Sequence, residues 1–173
     1  MRIPLFVLAG AFAGAPAIAA APSKGGAAAA ATIESRSESN VTGTAKFTSA
    51  PGGVRVHLEI EEATPGPHGV HIHEKGDCSD KKALSAGGHY DPTASEHHGG
   101  AKTAIRHGGD LGNIEVGKDG KGTLDVVVPA ITVESIVGRS IVVHEKYDDM
   151  KTDPSGGSGA RIGCGKIEAA SPP

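Results

Sequence analysis

The sequence predicts an all-β fold, a sandwich or barrel built from short antiparallel strands. Three observations carry that prediction. Short segments alternate apolar and polar side chains, the period of a half-buried strand. Turn signals rich in Gly, Pro, Asp and Ser separate them. The 173 residues include 26 Gly and 11 Pro but only 3% aromatics, which suits many turns better than long helices. The length suffices for one domain with a sizeable core.

Taken in order, residues 1–19 read as an export signal: Arg2, a brief apolar run from Ile3 to Ala13, and the small-x-small site Ala17-Ile18-Ala19. The run is short for a membrane span. Residues 20–32 are mostly Ala and Gly with no pattern that could pack, and are expected to form a disordered tether before a domain at 33–170. Weak alternation starts at Ile33, and Val41 to Phe47 is a strand candidate ending in the turn Pro51-Gly52-Gly53. Val54 to Ile60 alternates strictly and places His57 on its polar face.

After the turn at Pro65-Gly66-Pro67 comes Gly69-Val70-His71-Ile72-His73-Glu74. In a strand, residues i and i+2 share a face, so His71 and His73 would aim both imidazoles the same way, an arrangement suited to a metal. From Glu74 to about Asp110 regular pattern disappears. That stretch holds Cys78, His89, His97, His98 and His107 with several glycines, so a long loop folded around metal is expected rather than disorder. Strand character resumes at Leu111 to Val116, turns at Lys118 to Gly122, and returns at Leu124 to Val128 and Gly138 to His144. A second polar loop, Glu145 to Ala160, precedes a closing strand near Cys164.

A formal charge of −3 without aromatic platforms argues against nucleic acid or an anionic membrane as partner. In an exported protein, Cys78 and Cys164 would usually be bridged, although two separate buried cysteines remain an alternative.

Six runs, His68-Gly69-Val70-His71-Ile72-His73-Glu74, Gly76-Asp77-Cys78, Ala86-Gly87-Gly88-His89-Tyr90-Asp91-Pro92, His107-Gly108-Gly109-Asp110-Leu111-Gly112, Gly138 to Asp149, and Ala160-Arg161-Ile162-Gly163-Cys164-Gly165, together resemble copper/zinc superoxide dismutase. The resemblance spans residues 33 to 169 in the family's order. It implies a Greek-key barrel of about eight antiparallel strands with two long functional loops. It further implies copper on His71, His73, His89 and His144, and zinc on His89, His98, His107 and Asp110. Imidazoles suit copper, and three imidazoles with a carboxylate make a closed zinc set. His97 competes with its neighbour His98. The register of Gly99-Gly100, Lys102 and Arg106 favours His98.

By the same resemblance Asp148 would orient ligand histidines of both metals, and Arg161 would attract and orient an anion beside copper. The bridging His89 would take up a proton when copper is reduced. Lys146 and Lys151 are candidates for steering the anion. His68, Tyr90, Asp91 and Asp149 are expected to be structural. The implied activity converts two superoxide anions to dioxygen and hydrogen peroxide. A non-catalytic copper-delivery module on the same scaffold is the alternative, and a zinc hydrolase is disfavoured because the ligand set leaves no open zinc position. A homodimer is one assembly the resemblance allows, and a periplasmic or extracellular location follows from the leader.

Overall fold

The computed structural model describes residues 26–171. The expected leader at 1–19, and the first part of the expected tether, lie outside them. Nine strands are described: β1 (Ala28–Ser35), β2 (Thr42–Ala50), β3 (Gly53–Glu61), β4 (Gly66–His73), β5 (Asp110–Val116), β6 (Gly122–Pro129), β7 (Ser140–His144), β8 (Arg161–Lys166) and β9 (Glu168–Ala170). All pairings among them are antiparallel. The sheet runs β2-β3-β6-β5-β4-β7-β8-β1, and β1 pairs with β2 to close an eight-stranded barrel. The short β9 lies along the start of β1.

Strict alternation in β3 explains its placement: Val54, Val56, Leu58 and Ile60 are buried and join Phe47, Ile72, Ile114 and Ile141 in one core. Closure removes the unpaired edges that an open sheet of this size would present.

One expectation is overturned. The tether placed at 20–32 becomes strand at Ala28. Residues 28 to 33 pair with β2, and Ala29 and Ala31 are buried in the core. Alanine has little β-propensity of its own, but neighbours on both sides and a buried face override that preference. The one-turn helix Val133–Ile136, capped by Thr132 and Ser135, was not anticipated either.

The strands that carry the histidines are buried on both faces. In β4, Val70 and Ile72 point to the core, so His71 and His73 point to the outer face, where loops cover them. His71 pairs with Val142 and His73 with Ser140 on β7. Counting on by two from Val142 puts His144 on that same outer face. A bulge between Val70 and His71 shifts the pairing with β5 so that Asp110 stands opposite His71. Residues 74–109 and 145–160 form the two loops that roof this face.

Candidate metal centre

Three rigid strands thus bring His71, His73, His144 and Asp110 together, and the first loop must supply the rest. An isolated bridge between His73 and His89 does so, continued by backbone bonds from Tyr90 N to Ile72 O at 2.8 Å and from Gly109 N to Tyr90 O at 2.7 Å. His89 is thereby laid beside β4. Candidate donor atoms of His71, His73, His89 and His144 lie within 4.8 Å of one another.

Each imidazole has one nitrogen fixed and one without a partner. His73 Nδ1 donates to the Gly87 carbonyl at 3.0 Å, and His144 Nδ1 to the Gly159 carbonyl at 3.4 Å. His71 Nε2 donates to Asp148 Oδ2 at 2.8 Å. A carbonyl or carboxylate can only accept, so the opposite nitrogen in each ring carries the lone pair. Those opposite atoms, His71 Nδ1, His73 Nε2 and His144 Nε2, are buried and have no hydrogen-bond partner among the described residues, and neither has His89 Nε2. A buried polar atom without a partner costs free energy. Four of them converging on one spot is what a nitrogen-ligated metal would satisfy.

A second convergence lies on the other side of His89. Asp110 Oδ1 is 2.8 Å from His89 Nδ1, 3.1 Å from His98 Nδ1 and 3.3 Å from His107 Nδ1. A tetrahedral zinc with bonds near 2.0 Å has ligand–ligand edges of about 3.3 Å. His98 Nδ1 is not aligned on Asp110 as a hydrogen bond and counts among the unpartnered buried atoms. That is how ligands look when both point at a common third position. His71 also comes within 4.8 Å of the His89, His98 and Asp110 atoms. Its Nε2 is occupied by Asp148 and its Nδ1 belongs to the first group, so His107 fits the second set better.

Residues matched by the family model for "copper/zinc superoxide dismutase" are 41–167. A protein named superoxide dismutase [Cu-Zn] from Deinococcus radiodurans is 44% identical over 142 residues, covering 75% of this chain and 78% of that protein. Those of Caulobacter vibrioides and Brucella abortus are 41% and 42% identical, each covering 73% of this chain and 78% of theirs. A solved structure of the clock protein EA4 superposes with a TM-score of 0.74 at 35% identity, covering 84% of this chain and 96% of that one. The chain belongs to the copper/zinc superoxide dismutase family.

In this family member Asp148 links the two clusters. Its Oδ2 accepts from His71 and its Oδ1 from His98 Nε2 at 2.7 Å, and the carboxylate is fully buried. Asn113 pins its backbone in both directions, at 2.8 and 2.9 Å. Gly156 passes so close that a Cβ there would collide with Asp148 Oδ1, and its φ of 63° is one that glycine adopts without strain. Asp110 is held from its other oxygen by Gly99 N at 2.9 Å and His107 N at 3.0 Å.

Electrostatics separate the clusters. Burial, reinforced by neighbouring imidazoles, lowers the pKa values of His71 and His73 well below the ordinary range and takes His144 to about 3. These rings are neutral and keep their lone pairs. His98 behaves oppositely: burial opposes its charge, but the nearby Asp110 carboxylate and the hydrogen bond to Asp148 prevail and raise it to about 9. The space between two buried carboxylates prefers a positive charge, whether proton or cation. Asp110 is correspondingly held far below the usual carboxylate range, the hydrogen bond from His89 and the nearby His98 ring outweighing burial.

Arg161 stands opposite His144 in the β7–β8 register. Its Nη1 and Nη2 donate to the carbonyls of Ala83 and Gly87, each at 2.7 Å. Gly87 O therefore receives both Arg161 and His73, which ties the guanidinium to the first cluster. The Cys78–Cys164 disulfide is formed and fastens the same loop to β8.

His97, the rival of His98, has 65% of its side chain exposed and pairs with Asp153 at 3.2 Å. His98 lies wholly buried in the cluster. His57 is half-buried beside Asp125 and away from both clusters. His68 is buried and braced between the carbonyls of His144 and Thr64, each at 2.8 Å. Asp91 and Asp149 cap turns in their own loops. Lys146 and Lys151 are exposed. Tyr90 packs under Arg139, whose guanidinium carbon is 3.7 Å from the ring centre. Sequence reasoning missed Asn113 and Gly156. A polar amide between the apolar Leu111 and Ile114 of β5 was the available signal for Asn113, whereas Gly156 was one glycine among many.

Proposed function

We propose that His71 Nδ1 and the Nε2 atoms of His73, His89 and His144 hold copper, and that the Nδ1 atoms of His89, His98 and His107 with Asp110 Oδ1 hold zinc. On this reading the chain is a superoxide dismutase, taking two superoxide anions and two protons to dioxygen and hydrogen peroxide. The observation that carries it is the set of five unpartnered imidazole nitrogens, four facing one point and the fifth, His98 Nδ1, facing the second.

Copper, when bound, supplies the one-electron redox couple. The chain's own residues do the rest. Arg161 keeps its charge despite burial, which lowers its pKa from a very high starting value. With two of its donors on Ala83 and Gly87 it presents a fixed cation to an incoming anion. Exposed Lys146 and Lys151 extend the positive field outward. His89, shared between the clusters, holds or yields a proton at Nε2. Asp148 keeps His71 and His98 in the orientation each cluster needs. Export accords with the bridged cysteines and the leader-like residues 1–19. Among the described residues no helix is long and apolar enough to cross a membrane.

The test is superoxide removal by purified protein with copper and zinc measured on the same sample. Fast, copper-dependent turnover with about one of each metal per chain supports the reading. His144→Ala should lose copper and activity while keeping zinc. Turnover retained by that variant would overturn the copper assignment, and full copper loading without turnover would favour a delivery role.

A further inference from the structure

Met150 is the one methionine among the described residues, and it sits where three segments of the zinc site meet. A Cβ placed on Gly100 would fall 2.7 Å from Met150 Sδ, and one on Gly112 would fall 3.5 Å from its Cε. Gly100 lies two residues after His98, Gly112 two after Asp110, and Met150 two after Asp148. The Met150 backbone N–H donates to Asp148 Oδ1 at 2.7 Å, the same oxygen that accepts from His98. The side chain is a thioether plug seated on two glycines, holding together the chain segments that carry His98, Asp110 and Asp148. It is nonetheless 37% exposed.

We propose that Met150 is an oxidation site through which hydrogen peroxide loosens the zinc cluster. The inference rests on the zinc assignment above. The oxidant is the product of the dismutase reaction itself. The sulfur lone pair attacks one peroxide oxygen, the O–O bond breaks, and an S–O bond forms. Sulfur is oxidised by two electrons, and the second oxygen leaves as water with both peroxide protons. Met becomes the sulfoxide, polar and enlarged by one oxygen. On the Gly100 side the thioether is packed close, a Cβ on that glycine falling only 2.7 Å from the sulfur, so this contact depends on an apolar sulfur without an added oxygen. A polar sulfoxide fits that glycine seat poorly, which shifts the side chain and weakens the support of the backbone bond to Asp148 Oδ1. Met150 also has φ of 57°, so its segment has a ready route to relax to an ordinary backbone conformation.

The holoprotein, with zinc measured beforehand, is exposed to hydrogen peroxide. Mass analysis of the Met150 peptide and zinc release to a chromophoric chelator are followed together. Expected results are a gain of one oxygen on that peptide and zinc affinity about 10–100-fold weaker, the usual effect of losing support around metal ligands. Methionine sulfoxide reductase should restore the affinity. Met150→Leu, which conserves volume, should retain zinc through the treatment, and Met150→Gln should weaken zinc without any oxidant. An unmodified Met150 peptide overturns the proposal. So does equal zinc loss from Met150→Leu, which would place the damage elsewhere. A protein that binds no zinc before peroxide overturns the zinc assignment first.

Discussion

The Cys78–Cys164 bridge closes a loop across a sequence separation of 86. Removing it with the Cys78→Ala, Cys164→Ala pair releases that constraint from the unfolded chain. Chain-entropy arithmetic for a loop of this size gives about 4.6 kcal/mol at 25 °C. Cys164 is fully buried against Val142, Ala83 and Ala86, so alanine there also leaves a small apolar void but no unpaired polar atom. With a urea slope of about 2 kcal/mol/M, the midpoint of metal-free protein should fall by about 2 M, with a somewhat steeper slope because the freed unfolded chain expands. Urea unfolding followed by circular dichroism reads it directly. A midpoint shift below about 0.5 M would refute the reasoning, because the unfolded chain would then already be as restricted without the bridge as with it. Activity supplies a second check on the same variant. Arg36 Nε still holds the Cys78 carbonyl at 2.7 Å, and Arg161 is anchored on the same loop through the carbonyls of Ala83 and Gly87, so a looser loop should lower kcat/KM through Arg161.

Other outcomes follow from the clusters. His97→Ala should leave zinc content unchanged, while His98→Ala should lose zinc; the reverse result in metal analysis would exchange their roles. Asp148→Ala removes the shared acceptor of His71 and His98 and should weaken zinc about 10–100-fold in chelator competition, whereas Asp149→Ala, confined to its own turn, should not. Metal-free protein should be most stable near pH 6.5. Below that, unfolded histidines take up protons that native His71, His73 and His144 refuse, costing about 1.4 kcal/mol per pH unit for each as pH falls toward 3. Above it, the native state holds a proton on His98 that the unfolded state has released, so stability falls as pH rises through about 9. Thermal midpoints across pH should show both limbs, His144→Gln reducing the acid one and His98→Gln the alkaline one; a flat profile would sink the assignment of these shifts.

The cluster proposed for copper was the more legible in the sequence because part of its geometry is strand geometry. His71 and His73 share a face by period, while His89 and His144 came from the resemblance; the pairing of β4 with β7 then sets His144 on the same face by the same rule. The zinc side depends on loops, where no period operates. There the resemblance, not the spacing, pointed to His98 over His97, and burial distinguishes the two. Contacts made by backbone approach left little trace: Gly156 beside Asp148 read as an ordinary loop glycine, and Gly100 served only as a register mark with no hint of Met150 above it. Ala28 to Ala31 misled for the complementary reason. A run of alanine carries no pattern, and only partners on both sides, β2 and β9, make it a strand.

The division of labour between strands and loops has a physical cause. An outer barrel face can hold three imidazoles rigidly, since each strand is pinned by neighbours on both edges and by core residues beneath. It cannot by itself keep water from them, nor leave their lone pairs unpartnered. The loops do both, and each is held by groups that also orient ligands. Gly87 fixes His73 and Arg161 together, and Asp148 fixes His71 and His98 together. Loop order and ligand order are therefore one equilibrium. Any change that frees a loop, whether disulfide loss at Cys78 or oxidation at Met150, must act on metal affinity before it acts on the barrel.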